Sequence, residues 1–307
     1  MLSTATNAPR RQKSQRLRSD RRTAFIFLAP AGAVLLLVFL VPLIFSLWMS
    51  VQATGTSAAQ VNLVGGAHYA DLLRDAKFYN ALWVSVVFTV VSVIGIYALG
   101  LTVAMLVNSK APLSRLVQTA SIIPWATPLV ATSMLWATIL DYQYGPATWI
   151  VQSMGVTDQP VGWLTNPALA LASVIAVQIW KLFPMAGVML LAGLQSIPAE
   201  RLEAASVDGA TSLQRLRYIT LPGLRPVSAV LLLLLTIWVF GRSFTIIFVL
   251  TGGGPAGATN NLVIEIFKRA FQSFDLQAAS ALGTIVLIIS LVFTLIYMRL
   301  AMRSNEN

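Results

Sequence analysis

Six long apolar stretches constrain this chain more than any other feature. They lie near Ala24–Met49, Ala81–Val107, Leu116–Leu140, Ala168–Leu191, Val227–Leu250 and Ala278–Met298. Each reaches the roughly 20 mainly apolar residues that a helix needs to cross the hydrocarbon core of a bilayer. None alternates with period two, and a backbone in lipid must satisfy its own hydrogen bonds, so the stretches read as helices rather than barrel strands. Composition points the same way: 57% of the 307 residues are hydrophobic and 10% charged, against roughly 45–50% and about 25% in soluble domains. The expected class is an all-α polytopic membrane protein with six transmembrane helices.

A formal charge of +10 would suggest a nucleic-acid partner in a soluble chain, but the cations sort by loop instead of gathering on one face. Seven basic residues, Arg10, Arg11, Lys13, Arg16, Arg18, Arg21 and Arg22, precede the first span. That apolar stretch is too long for a signal-peptide core and lacks a small-residue cleavage site, so it reads as a retained span. Fifteen basic residues fall on the side holding both termini and the 192–226 loop, and four on the other: Arg74, Lys77, Lys268 and Arg269. The positive-inside rule therefore places both termini and the long loop in the cytoplasm. The segments expected are a basic, disordered tail over 1–23, a first transmembrane helix over 24–52, a five-helix core over 78–300 and a short cytoplasmic tail over 301–307.

Enzyme chemistry has little to stand on. The sequence has no cysteine and one histidine, His68, read as a solvated loop residue. No Asp or Glu lies inside any of the six spans, which also removes the coupling carboxylates that a stand-alone, ion-driven transporter would need.

The 192–226 loop is the informative one. Pro198 suits a first helical turn, with Glu200 and Glu203 following where negative charge favours a helix N-terminus. A helix from about Pro198 to Asp208 can end at Gly209. A second can run from Ser212 through Ile219 before Pro222 and Pro226. Three acids on the first helix make it a poor anchor for an anionic lipid surface, which leaves a docking surface for a cytoplasmic partner.

Within this loop, Glu203-Ala204-Ala205, three residues, Gly209, nine residues, Ile219, one residue and Leu221-Pro222 resemble the EAA motif of permeases from bacterial ATP-binding-cassette importers. Segments 123–136, 179–198 and 249–276 are similar to the carbohydrate-uptake branch of that family. The resemblance implies a type I importer permease fold in a prokaryotic inner membrane. It implies four kinds of neighbour: a second homologous permease, two ATPase subunits, an extracytoplasmic solute-binding protein and membrane lipid, with no nucleic acid. ATP and Mg would sit on the ATPase, and this chain would bind no cofactor or metal and catalyse nothing. The coupling segment, 196–226, would dock on the ATPase through Glu203, Ala204, Ala205, Asp208, Gly209, Ile219, Leu221 and Pro222. Two positions depart from the family pattern: Thr245, where many relatives have Asp, and His68, where Asn is usual.

Other residues carry open alternatives. Lys181 and Arg242 fall inside spans, where a charge costs roughly 2.5 kcal/mol or more, so each should face the bundle interior, a partner or water. With Trp180 and Thr245 they are the candidate translocation-pathway residues. Trp125, Trp136, Trp180 and Trp238 can stack on sugar rings or simply pack. Pro124, Pro128 and Pro184 are expected to interrupt their spans. Gly252-Gly253-Gly254-Pro255 lacks the Gly-Lys-Ser/Thr of a phosphate cradle and reads as an outward turn, or as a loop touching the binding protein. The cargo, whether sugar, oligosaccharide, polyol or glycerol-phosphate, stays open.

Overall fold

The computed structural model describes residues 27–53, 62–109 and 114–304. The basic residues of the N-terminal tail lie outside that set. The described residues are almost entirely helical, with one isolated bridge between Gln52 and Leu63. The helices are α1 (Phe27–Met49), α2 (Ala67–Leu72), α3 (Ala76–Asn108), α4 (Ser114–Ala126), α5 (Leu129–Ile139), α6 (Pro146–Ser153) and α7 (Pro167–Gln195). They continue with α8 (Ala199–Val207), α9 (Ser212–Arg215), α10 (Arg225–Arg242), α11 (Phe244–Leu250), α12 (Leu262–Phe267) and α13 (Leu276–Ser304).

The centre of the bundle is the α3–α7 pair, which forms the most extensive helix contact. Glycines allow the approach: a β-carbon on Gly100 would lie 2.8 Å from Ala186 Cβ and 3.0 Å from the Gly187 amide nitrogen, and one on Gly95 would overlap Ile179. Both helices start from side-chain caps. The Asp75 carboxylate accepts the Lys77 amide at 2.9 Å, and Asn166 Oδ1 accepts that of Ala168 at 2.9 Å. Around this pair the main core gathers Phe88, Ile96, Val174, Val177 and Leu190 with Leu231 and Leu235 of α10 and Ile246 and Ile247 of α11. By contrast, α1 buries no side chain and presents its apolar surface outward, as a helix facing lipid does.

Five helices are each long and apolar enough to cross a membrane, and α4 with α5 qualify as a pair bent by 103°. Within the described residues, which leave out 24–26 of the first, the six expected stretches are thus helical, but two are not single rods. The third breaks at Thr127-Pro128, where Pro128 is extended (φ −57°, ψ 143°) and caps α5. The fifth ends at Arg242, because Ser243 turns the chain into α11 and is held by Asn261, whose Nδ2 donates to the Ser243 hydroxyl at 2.6 Å. That partner lies 18 residues away; Gly241-Arg242-Ser243 interrupts the apolar run but does not by itself say that the helix ends there.

The proline expectation also needs correction. Of the three, only Pro128 coincides with a break: α4 continues across Pro124 and α7 across Pro184. Pro184 is buried in α7, next to the glycine-lined contact with α3. The helix stays continuous there, in a closely packed setting, despite the hydrogen bond that proline removes. His68 is likewise no simple loop residue. It sits on α2, half-buried, with Nε2 2.6 Å from the Gln52 carbonyl oxygen.

Candidate functional site

Between α7 and α10 the chain leaves the bundle as a two-armed elbow. Its first arm, α8, ends in a double hydrogen-bonded cap: the Gly209 amide donates to Ser206 O (3.2 Å) and the Ala210 amide to Ala205 O (2.9 Å). Gly209 takes φ +78°, and no atom lies within 4 Å of where its β-carbon would be. Glycine is needed there for backbone conformation and not for space. The second arm opens with a capping box, in which Gln214 N donates to Thr211 Oγ1 and Thr211 N to Gln214 Oε1. It runs through a π-turn (Leu216–Thr220) and one helical turn (Leu221–Gly223) into α10. An Arg215 guanidinium N–H donates to the Ser206 hydroxyl and joins the arms.

Nothing in α8 or in residues 212–223 is buried. Val207, Leu213 and Tyr218 are 88%, 72% and 69% exposed, an unusual display of apolar surface for a polar segment. The root of the elbow is tight. Leu224 is fully buried, and its side chain and that of Val227 fill the space where Gly193 lacks a β-carbon, while Ile197 does the same at Gly223. These contacts tie the base of the elbow to the end of α7 and the start of α10. Glu203, Ala204, Asp208 and Gly209 lie exposed on the first arm, with Ala205 half-buried there; Ile219, Leu221 and Pro222 lie at the base of the second.

The candidate pathway residues fall elsewhere. Lys181 is 8% exposed, and its ammonium donates to the carbonyls of Pro124 (2.8 Å), Trp125 (3.2 Å) and Thr127. Those are the free carbonyls at the end of α4, where the helix dipole is negative. All three N–H donors of the ammonium are engaged, so Lys181 splices the broken α4–α5 span to α7. Beside it, Trp180 meets Trp136 edge to face at 5.4 Å. Arg242 is exposed at the end of α10, its guanidinium 5.7 Å from the Trp238 ring centre. Thr245 is half-buried on α11.

At the end of the bundle opposite the elbow, Gly252-Gly253-Gly254-Pro255 forms a hydrogen-bonded turn, closed by the Thr259 hydroxyl on Gly254 O at 2.7 Å. Next to it runs a polar chain that the sequence reading did not anticipate. Asn260 Nδ2 donates to Glu265 Oε2 at 2.8 Å, Arg269 Nε donates to Glu265 Oε1 at 2.9 Å, and Arg269 also pairs with Asp75. Burial pushes the Asp75 carboxyl up, but the Lys77 amide and the Arg269 guanidinium outweigh it and hold it below the usual carboxylate range. Only the i,i+4 spacing of Glu265 and Arg269 was visible in sequence; Asp75 lies 194 residues from Arg269.

Residues 96–305 match the family described as the binding-protein-dependent transport system inner membrane component. The trehalose/maltose transport system permease protein MalF of Thermococcus litoralis is 34% identical over 280 residues, covering 91% of this chain and 94% of that one. The sulfoquinovosyl glycerol transport system permease protein SmoG of Agrobacterium fabrum is 32% identical over 284 residues, covering 92% and 91%. Among solved structures, a chain of a bacterial ABC transporter involved in the import of the acidic polysaccharide alginate superposes with a TM-score of 0.79 at 23% identity, covering 94% of this chain and 99% of that one. At that identity the likeness is one of fold.

Proposed function

The chain belongs to the family of binding-protein-dependent transport system inner membrane components, and from that premise we infer that it is the permease subunit of an ATP-binding-cassette importer for a carbohydrate. It is a multi-pass membrane protein that performs no hydrolysis itself. Its partners are an ATPase and an extracytoplasmic solute-binding protein. In our reading the ATPase is present in two copies, and a second, homologous permease completes the pathway. Two relatives named for sugar-derived cargo, trehalose/maltose and sulfoquinovosyl glycerol, support the carbohydrate assignment.

The elbow carries the mechanism. A rigid two-helix projection with exposed apolar side chains and a glycine-packed root suits a lever seated in a cleft of the ATPase. Val207, Leu213 and Tyr218 supply apolar contact area, while Glu203 and Asp208 supply charge. Closure of the ATPase pair on ATP would move the arms, and the Gly193–Leu224 and Gly223–Ile197 contacts would convert that movement into rocking of α7 and α10. From the positive-inside count we read the elbow and both termini as cytoplasmic. Trp180, Arg242 and Thr245 are the side chains we assign to the solute path, with Lys181 fixing the broken helix beside Trp180.

Deleting residues 199–223 should abolish ATPase co-purification and uptake while membrane insertion continues. Normal co-purification of the ATPase by the deletion variant would overturn the assignment.

A further inference from the structure

The Asn261 side chain has two partners. Its Oδ1 accepts the Ile264 amide at 2.9 Å, the usual bond of an N-cap, and its Nδ2 donates to the Ser243 hydroxyl at 2.6 Å. Asn261 and Ser243 are each 1% exposed, so water does not compete for the bond between them. The next amide, that of Leu262, donates to Ser85 Oγ of α3 at 2.9 Å. Three elements therefore meet at the start of α12: the joint between α10 and α11, the first third of α3, and α12 itself.

The far end of α12 holds α11 a second time. The Phe267 ring lies 5.1 Å from that of Phe244 and 5.0 Å from that of Phe248, and the two α11 rings stack on each other at 5.0 Å. This short helix is thus a bracket for α11, with a hydrogen bond at the joint and ring contacts along the helix. Ser85 ties the bracket to α3, which forms with α7 the centre of the bundle. Capping alone does not need an asparagine. A serine would accept the Ile264 amide as well, but it carries no second polar atom to give to Ser243. The residues next to the joint are Arg242, one position before Ser243, and Thr245, two positions after it.

We propose that Asn261 is a positioning residue for the solute path. By binding Ser243 it fixes the direction in which α11 leaves α10, and with it the placement of Thr245 beyond the joint and of Arg242 before it. The proposal rests on the assignment of Arg242 and Thr245 to that path and adds the group that sets their geometry.

The chain has no cysteine, so thiol labels can be placed on it without removing native ones. In the full-length chain in lipid nanodiscs, nitroxides on Val230→Cys of α10 and Val249→Cys of α11 report the distance across the joint by pulsed EPR. In a separate sample, Thr245→Cys reports exposure to water through its rate of modification by a cationic methanethiosulfonate reagent. Ser243→Ala and Asn261→Ser each remove the bond, the second while leaving α12 a cap. Each should roughly double the width of the distance distribution and change the Thr245→Cys rate by about threefold or more, and the double variant should go no further than either single one, as two halves of one interaction do. Parent width in Asn261→Ser, the behaviour of a simple cap, overturns the proposal, and so do effects that add in the double variant. An unchanged Thr245→Cys rate beside broadened distances refutes the positioning role and leaves the path assignment standing. A Thr245→Cys thiol that the reagent does not reach in the parent refutes the path assignment of Thr245 itself, and the role of Asn261 with it.

Discussion

Replacing Lys181 with Met separates a splice from a solute-binding residue. The substitution keeps the approximate length of the side chain and removes the ammonium that meets the carbonyls of Pro124, Trp125 and Thr127. The Pro124 contact is buried and the other two are partly buried. With about 1–3 kcal/mol for a fully buried unsatisfied group and roughly half that for a partly wetted one, the loss comes to about 2–6 kcal/mol. The cost of holding a charge at bilayer depth does not offset this, because the inserted but unpacked helix bears it too. The assay is unfolding of the purified chain in nanodiscs, with Trp180→Phe as a control that leaves the carbonyl cluster intact. Lys181→Met should melt well below the parent, and protease should find a new cut near the α4–α5 bend. Unchanged stability with lost uptake would refute the splice and return Lys181 to the solute path.

Further outcomes follow from the same geometry. Gly100→Val puts a branched side chain against Ala186 and the Gly187 backbone and should destabilise the α3–α7 pair by about 1–3 kcal/mol, seen as a lower melting temperature. Gly209→Val meets no neighbour but forces a β-branched residue into the left-handed region, at about 1–2 kcal/mol. It should unwind the elbow and reduce ATPase co-purification without lowering the melting temperature of the bundle. The Asp75–Arg269 pair has a pH signature: because the folded-state pKa of Asp75 is lowered, its contribution is complete above the ordinary aspartate range and is lost as pH falls through the lowered value. Hydrogen-exchange protection at the start of α3, taken relative to the intrinsic rate at each pH, should therefore fall only in acid, and Asp75→Asn should show the lowered protection at neutral pH.

Much of the architecture was legible because hydropathy over about 20 residues is a one-dimensional property. The two broken stretches illustrate its limit. Thr127-Pro128 carries a local signal, the proline, yet Pro124 and Pro184 carry the same signal and their helices continue. What distinguishes them is packing, since Pro184 lies against the α3 contact. At Ser243 the local signal is only the short polar triplet Gly241-Arg242-Ser243, and the partner of its hydroxyl, Asn261, lies across a loop.

By itself the sequence determined the helical membrane class and the two-armed form of the elbow. Both rest on periodicity and cap residues along the chain. Only the tertiary structure decided that Lys181 meets the end of α4, that Leu262 meets Ser85 and that Arg269 pairs with Asp75. The physical reason is separation: partners 54 to 194 residues apart meet only once the spans have packed, and no local pattern encodes which spans will be neighbours.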